Sequence, residues 1–230
     1  MKSEKPKNNP LIEIVFNVAL PSWILMKFTG PEYLGVVFGL ITALAFPIGY
    51  AIYDYARTKE TNLISVFGFF STLLTGGIAL FELSVEWLAI KEASIPALIS
   101  VFVIFSGLYG KPLIVKLLLN ESIMNVDKVY TKLEELGTTE EFKSSILFAN
   151  KLLASTFVFS SVMNYLLAKW LVTSPAGTVH FNEELGHMTL MSYPIIAVPS
   201  MIMLAGLLFY VSKVIKEFTG YKFSELMREQ

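Results

Sequence analysis

Glu13, Asn17, Asp54, Glu82, Lys91, Glu92, Asn164 and Lys169 all stand inside, or at the ends of, runs that are otherwise apolar. In lipid, an ionisable group in such a run costs at least a few kcal/mol unless it faces protein or a wet cavity and finds a partner. These residues therefore define what the chain could bind or carry, and they fall into two layers. In the first, Glu13 and Asn17 lie four apart and so share a helix face, with Asp54, Tyr50 and Tyr53 at a matching depth. Such a group could hold a headgroup, an ion or a proton. The commoner arrangement is structural, with Asp54 capping against Arg57 and Lys59 and Glu13 paired with a basic residue at the membrane surface.

The second layer is denser. Glu82, Glu86, Lys91 and Glu92 flank a turn of a few residues, and Asn164 and Lys169 belong at a similar depth. As a functional group this is a charged pocket, with Lys91 as an anion ligand or proton-linked residue. As a structural group it is a hairpin salt bridge, with Lys169 reaching the interface beside Trp170. The short turn predicts Glu82 and Lys91 within about 5 Å of each other, the range at which opposite charges stabilise one another. Glu92 follows Lys91 directly, so its side chain should leave the helix about 100° away, toward Lys169. A third group, His180, Glu183, Glu184 and His187, shares one face if helical, and two imidazoles with two carboxylates suit zinc. Gly186 weakens that helix and the spacing matches no established metal motif, so no metal is expected.

The chemistry that can be excluded is broad. The chain has no cysteine, which removes disulfides, thiolate catalysis and cysteine-based metal sites. It carries no glycine-rich phosphate loop, no G-x-S-x-G elbow and no H-E-x-x-H. No enzyme activity and no cofactor are expected. A net charge of −1 offers no basic field for nucleic acid.

These residues are positioned by an all-α, polytopic membrane helix bundle. Of 230 residues, 54% are hydrophobic and 16% charged, against about 25% charged in soluble domains. A bilayer core about 30 Å thick needs roughly 20 apolar residues. Stretches 11–28, 33–56, 62–82, 87–109, 146–171 and 188–215 qualify or nearly qualify, giving about six transmembrane helices in a single membrane domain, 1–230. Pro31 is placed to open the second span, and Pro47, Pro96, Pro194 and Pro199 are placed to kink theirs. The polar N-terminus lacks a cleavable signal, so the first helix should serve as its own insertion signal. With both termini cytoplasmic, Lys27, Lys91 and Lys169 fall outside and the other fifteen of the 18 basic residues fall inside, as the positive-inside bias requires.

The cytoplasmic linker, 111–145, repeats apolar residues at Ile123, Val126, Val129, Tyr130, Leu133 and Leu136, an amphipathic helix on the inner membrane surface or the base of the bundle. Gly137 should stop it. Thr138 with Glu141 reads as a capping box that starts the next helix. No internal repeat of the kind frequent in transporters is present beyond the four-residue echo of Asn9-Pro10-Leu11-Ile12 in Lys111-Pro112-Leu113-Ile114.

The stretch Phe67–Leu119, with Thr75-Gly76-Gly77, Trp87-Leu-Ala-Ile-Lys91 and Gly110-Lys111-Pro112-Leu113-Ile114, resembles the bacterial intracellular septation protein A family of small inner-membrane proteins. Asn164 to Trp170 is similar to that family's fifth helix. The N-terminal Asn9-Pro10-Leu11-Ile12-Glu13, Asn17 and Pro21-Ser22-Trp23 look like a related uncharacterised branch sometimes labelled as transporters. The chain departs from the septation family in its first helix and its longer inner linker. The resemblance implies a multi-pass protein of the bacterial cytoplasmic membrane, non-enzymatic, serving envelope maintenance, septation or lipid homeostasis. Its implied partners are membrane lipids and envelope or division proteins, with a homo-oligomer also open. The alternative is a small transporter or channel for an ion, metabolite or lipid that uses the charged layers.

Overall fold

The computed structural model describes residues 14–58, 63–119 and 124–227, with side chains of 57–70 and 72 left aside. Every regular element among the described residues is helical: α1 (Leu20–Lys27), α2 (Gly35–Thr58), α3 (Leu63–Leu80), α4 (Val85–Leu108), α5 (Leu113–Leu118), α6 (Val126–Leu136), α7 (Thr139–Leu171), α8 (Val179–Ser192), α9 (Val198–Thr219) and α10 (Phe223–Leu226). A π-turn, Val15–Ala19, runs into α1, and a second, Tyr193–Ala197, joins α8 to α9. Both wide turns lie against prolines, Pro21 and Pro194. A proline has no N–H to donate and crowds the carbonyl four residues back, and a π-turn relieves both problems. Pro47 and Pro96, by contrast, sit within continuous α2 and α4.

Four helical segments are long and apolar enough to cross a membrane: Gly35–Ala56, Val85–Leu108, Thr139–Leu171 and Val179–Thr219. Only 17 to 33% of the most apolar stretch of each is buried within the protein, and Phe38, Leu98, Met201 and Phe209 are among the exposed apolar side chains. Exposed apolar surface of that extent calls for lipid. The expected first span appears among the described residues as the shorter Val15–Lys27. The expected third is α3, also apolar. Pro31 lies in a turn, and α2 starts instead at Gly35, whose φ of 70° suits only glycine readily.

The packing divides into two compact units, Met1–Ala93 with Met163–Ile195, and Ser94–Val162 with Ile196–Gln230. In the first, α1 packs extensively on α8 and α2, and α2 on α3. In the second, the linker helix forms where its pattern predicts, although Leu136 at its end is exposed and not part of the buried face. Asn125 caps it, accepting from Lys128 N at 3.1 Å, and Gly137 ends it in the left-handed conformation. Its Val129 and Leu133 are fully buried beside Phe142, Ile146, Val211 and Ile215, which makes it part of the core of this unit. Ile123 lies outside the described residues. The Thr138 hydroxyl donates to the Phe218 carbonyl, 3.3 Å away, tying the start of α7 to the end of α9. Helix α10 returns to the linker, where Asn125 N donates to Leu226 O at 2.8 Å.

Candidate functional site

Lys91 is the charged residue with the most fully described surroundings among those singled out above. It projects from the second turn of α4 with its side chain 9% exposed. Its ammonium donates to Thr75 Oγ1 of α3 at 2.7 Å and to Glu92 Oε1 at 2.6 Å, and the Thr75 hydroxyl in turn donates to Ser71 O at 3.0 Å. The result is a hydrogen-bonded cluster that links the two helices. Glu82 is not Lys91's ion-pair partner, which corrects the expected hairpin bridge. Neighbouring side chains leave a helix about 100° apart, yet the four-carbon lysine stem lets the Lys91 ammonium bend back to the Glu92 carboxylate. Glu82 is carried elsewhere by its backbone. It follows α3 with φ 52°, the one positive value at a described non-glycine residue. Leu83 N donates to Ile78 O and Glu82 N to Ala79 O, so Glu82 holds the C-terminal capping position usually given to glycine. From there its side chain lies over Gly177.

Lys169 likewise pairs with Glu86, at 2.8 Å, and not with Glu92, in an exposed bridge. Asn164 is half-buried on α7. In the first layer, Glu13 and Lys59 lie outside the described residues. Asn17 and Asp54 are half-buried, and the space beside them is aromatic: Phe16, Phe46, Tyr50 and Tyr53 line a cleft with Ala45 and Gly49, Phe16 stacking on Tyr50.

The histidine segment is helical from Val179, with the Thr178 hydroxyl accepting from Phe181 N as N-cap. Gly186 does not weaken this helix. It is buried where α8 meets α1, with Ser22 O, Met26 and Leu25 against it. His180 faces Glu183 at 3.3 Å. Glu184 turns away and accepts four hydrogen bonds, from the backbone N and hydroxyl of both Thr173 and Ser174. Its carboxylate thus organises the chain between α7 and α8, and no group of three or more His, Asp or Glu converges on a metal position among the described residues.

A further site was not singled out from sequence. In the second unit a cavity of about 430 Å³ is lined by an apolar wall that includes Pro112, Val115, Phe142 and Ile146, and at its edge by Lys111, Lys116, Lys143 and Tyr130. All three lysines are exposed. Lys143 also bridges to Glu140 at 2.6 Å. The corner that presents Lys111 is built by polar groups beneath it. Gly110, φ 69°, closes α4. Ser106 Oγ accepts from Leu113 N at 3.0 Å, and Asn150 Oδ1 accepts from Ile114 N at 3.3 Å. Read along the chain, these lysines serve only as cytoplasmic charge markers. The signal available was that Lys111 and Lys116 bracket the Lys-Pro-Leu-Ile run while Lys143 opens the next helix.

No protein-family model, curated protein or solved structure matches this chain.

Proposed function

We propose that this chain is a non-enzymatic protein of a bacterial cytoplasmic membrane, with six spans and both termini in the cytoplasm, that serves envelope lipid homeostasis by holding an acidic phospholipid. One observation carries this reading: the cavity of about 430 Å³ is lined by apolar side chains together with three lysines and Tyr130, the complement of an acyl chain below a phosphate. In the proposed topology Lys111, Lys116 and Lys143 all face the cytoplasm, where the anionic leaflet attracts basic groups by about 1 kcal/mol each. Purified full-length protein should bind short-chain phosphatidylglycerol and not phosphatidylcholine. The triple variant Lys111→Gln, Lys116→Gln, Lys143→Gln should lose on the order of 100-fold in affinity, three such contacts together. Equal binding of both lipids, or unchanged affinity in the triple variant, would defeat the proposal. Glycerol phosphate as a competitor separates a lipid from a soluble phosphate ligand.

The topology has its own test. Reporter fusions after Lys59, after Glu141 and at the C-terminus should all read as cytoplasmic. An external C-terminus would remove one span.

A second reading, transport, is favoured by Lys91, whose enclosed ammonium sits in one of the four apolar spans. Ionisable residues within membrane spans pair with one another and mark ion and proton paths.

A further inference from the structure

Asn182 has no side-chain exposure. Its amide nitrogen donates to Val36 O at 3.0 Å, which fixes the orientation of the amide. The carbonyl Oδ1 is then left with no donor from any described residue. An unmet buried acceptor costs about 1–3 kcal/mol, so such atoms mark places where something else binds. Asn182 lines a small cavity of about 40 Å³ together with Glu82, Gly177 and the apolar side chains of Val36, Leu40 and Ala79. The volume is that of one or two water-sized spheres. The polar side chains that line it are the Asn182 amide, whose nitrogen is already committed as a donor elsewhere, and Glu82.

We propose that this cavity is a site for a small monovalent cation, with Na⁺ as the representative probe, held by Asn182 Oδ1 and the Glu82 carboxylate and completed by water. The donor set selects the charge. A hard cation takes oxygen ligands, and divalent ions of that kind are usually held by several carboxylates. One carboxylate and one neutral amide balance a single positive charge. The backbone agrees with this assignment. Glu82 occupies a left-handed capping position that a glycine would fill without cost, and its carboxylate is brought over Gly177, where an added Cβ would meet Glu82 Cγ at 2.9 Å. The inference is independent of the lysine-rimmed cavity, which belongs to the other unit, so lipid binding can fail while this one stands.

The test is the thermal midpoint of the full-length protein in detergent, in NaCl against choline chloride at equal ionic strength. Saturating Na⁺ should raise the midpoint by roughly 3 °C, as a ligand specific to the folded state does. Glu82→Gln should abolish that rise, and Asn182→Ala should do the same whatever its basal midpoint. Glu82→Gly should melt about 2–4 °C higher than the parent in choline, because the capping strain is gone, yet show no response to Na⁺. Glu82 is exposed, so its variants fold. Three results would overturn the proposal: no difference between Na⁺ or K⁺ and choline in the parent protein, a rise that survives Glu82→Gln, or a response to Ca²⁺ alone. The first would assign Asn182 Oδ1 to a structural water.

Discussion

Gly186→Ala is expected to destabilise the protein by about 2 kcal/mol, and Gly186→Val by about 4 kcal/mol, the range for overpacking a closed interior contact. The direction is opposite to helix propensity, because glycine to alanine inside a helix ordinarily gains about 0.5–1 kcal/mol. At Gly186 a new Cβ would lie 2.8 Å from the backbone oxygen of Ser22, 2.9 Å from Met26 Cγ and 3.2 Å from Leu25 Cβ. The two side chains can move, but the Ser22 carbonyl can retreat only if α1 shifts. Helix α1 is short and packs chiefly on α8 and α2, so displacing it loosens one side of the first unit. Gly206, on α9, is the internal control: a Cβ added there would meet nothing within 4 Å, and Gly206→Ala should be neutral or slightly stabilising. The check is unfolding of the full-length variants in the same detergent. Equal stability of the Gly186→Ala and Gly206→Ala proteins would refute the close approach of α1 and α8.

Gly186 also shows where sequence reading stops. Its spacing from His180 and His187 is visible, and so is its low helix propensity, but not that another backbone approaches it. The features that can be read are those set by local rules. Hydrophobic runs of sufficient length mark the four long apolar helices, the three-to-four spacing in the linker marks α6, and Gly137 marks its end. What escapes reading is pairing. Lys91 demands a partner, and its enclosure bears that out, but the choice between Glu82 and Glu92 turns on one backbone angle at Glu82. The same holds for Lys169, which pairs with Glu86. Asn150 draws no attention because it stands near the start of the stretch 146–171 as an uncharged residue among ordinary helix formers. The lysine-rimmed cavity escapes because its residues come from α5, α6 and α7 and the corner between α4 and α5, and only the fold brings them together.

Asn150→Leu is expected to cost about 3 kcal/mol, the sum of a lost buried hydrogen bond and an unmet buried donor. Asn150 is 2% exposed and serves both sides of the corner that follows α4. Its Nδ2 donates to Val103 O at 2.7 Å, and its Oδ1 accepts from Ile114 N at 3.3 Å. The Ile114 N–H lies in the first turn of α5, where a helix has no internal acceptor for it. Asn150 therefore caps α5 from a different helix, and in apolar surroundings nothing replaces it. Leucine keeps the volume and removes both interactions. Its branched end would also press on Gly107, where even a Cβ would come within 2.9 Å of Asn150 Nδ2. Asn150→Asp isolates the donor half. It keeps an acceptor for Ile114 N but sets a carboxylate against the Val103 carbonyl, so it should be at least as damaging as leucine at neutral pH and should recover as the carboxyl is protonated. The corner held by Asn150 carries Lys111, so any Asn150 variant that folds should also bind phosphatidylglycerol more weakly than the parent, without a change in any lysine. An Asn150→Leu protein within about 1 kcal/mol of the parent, the scale of one ordinary hydrogen bond, would show that α5 is held by its apolar face alone.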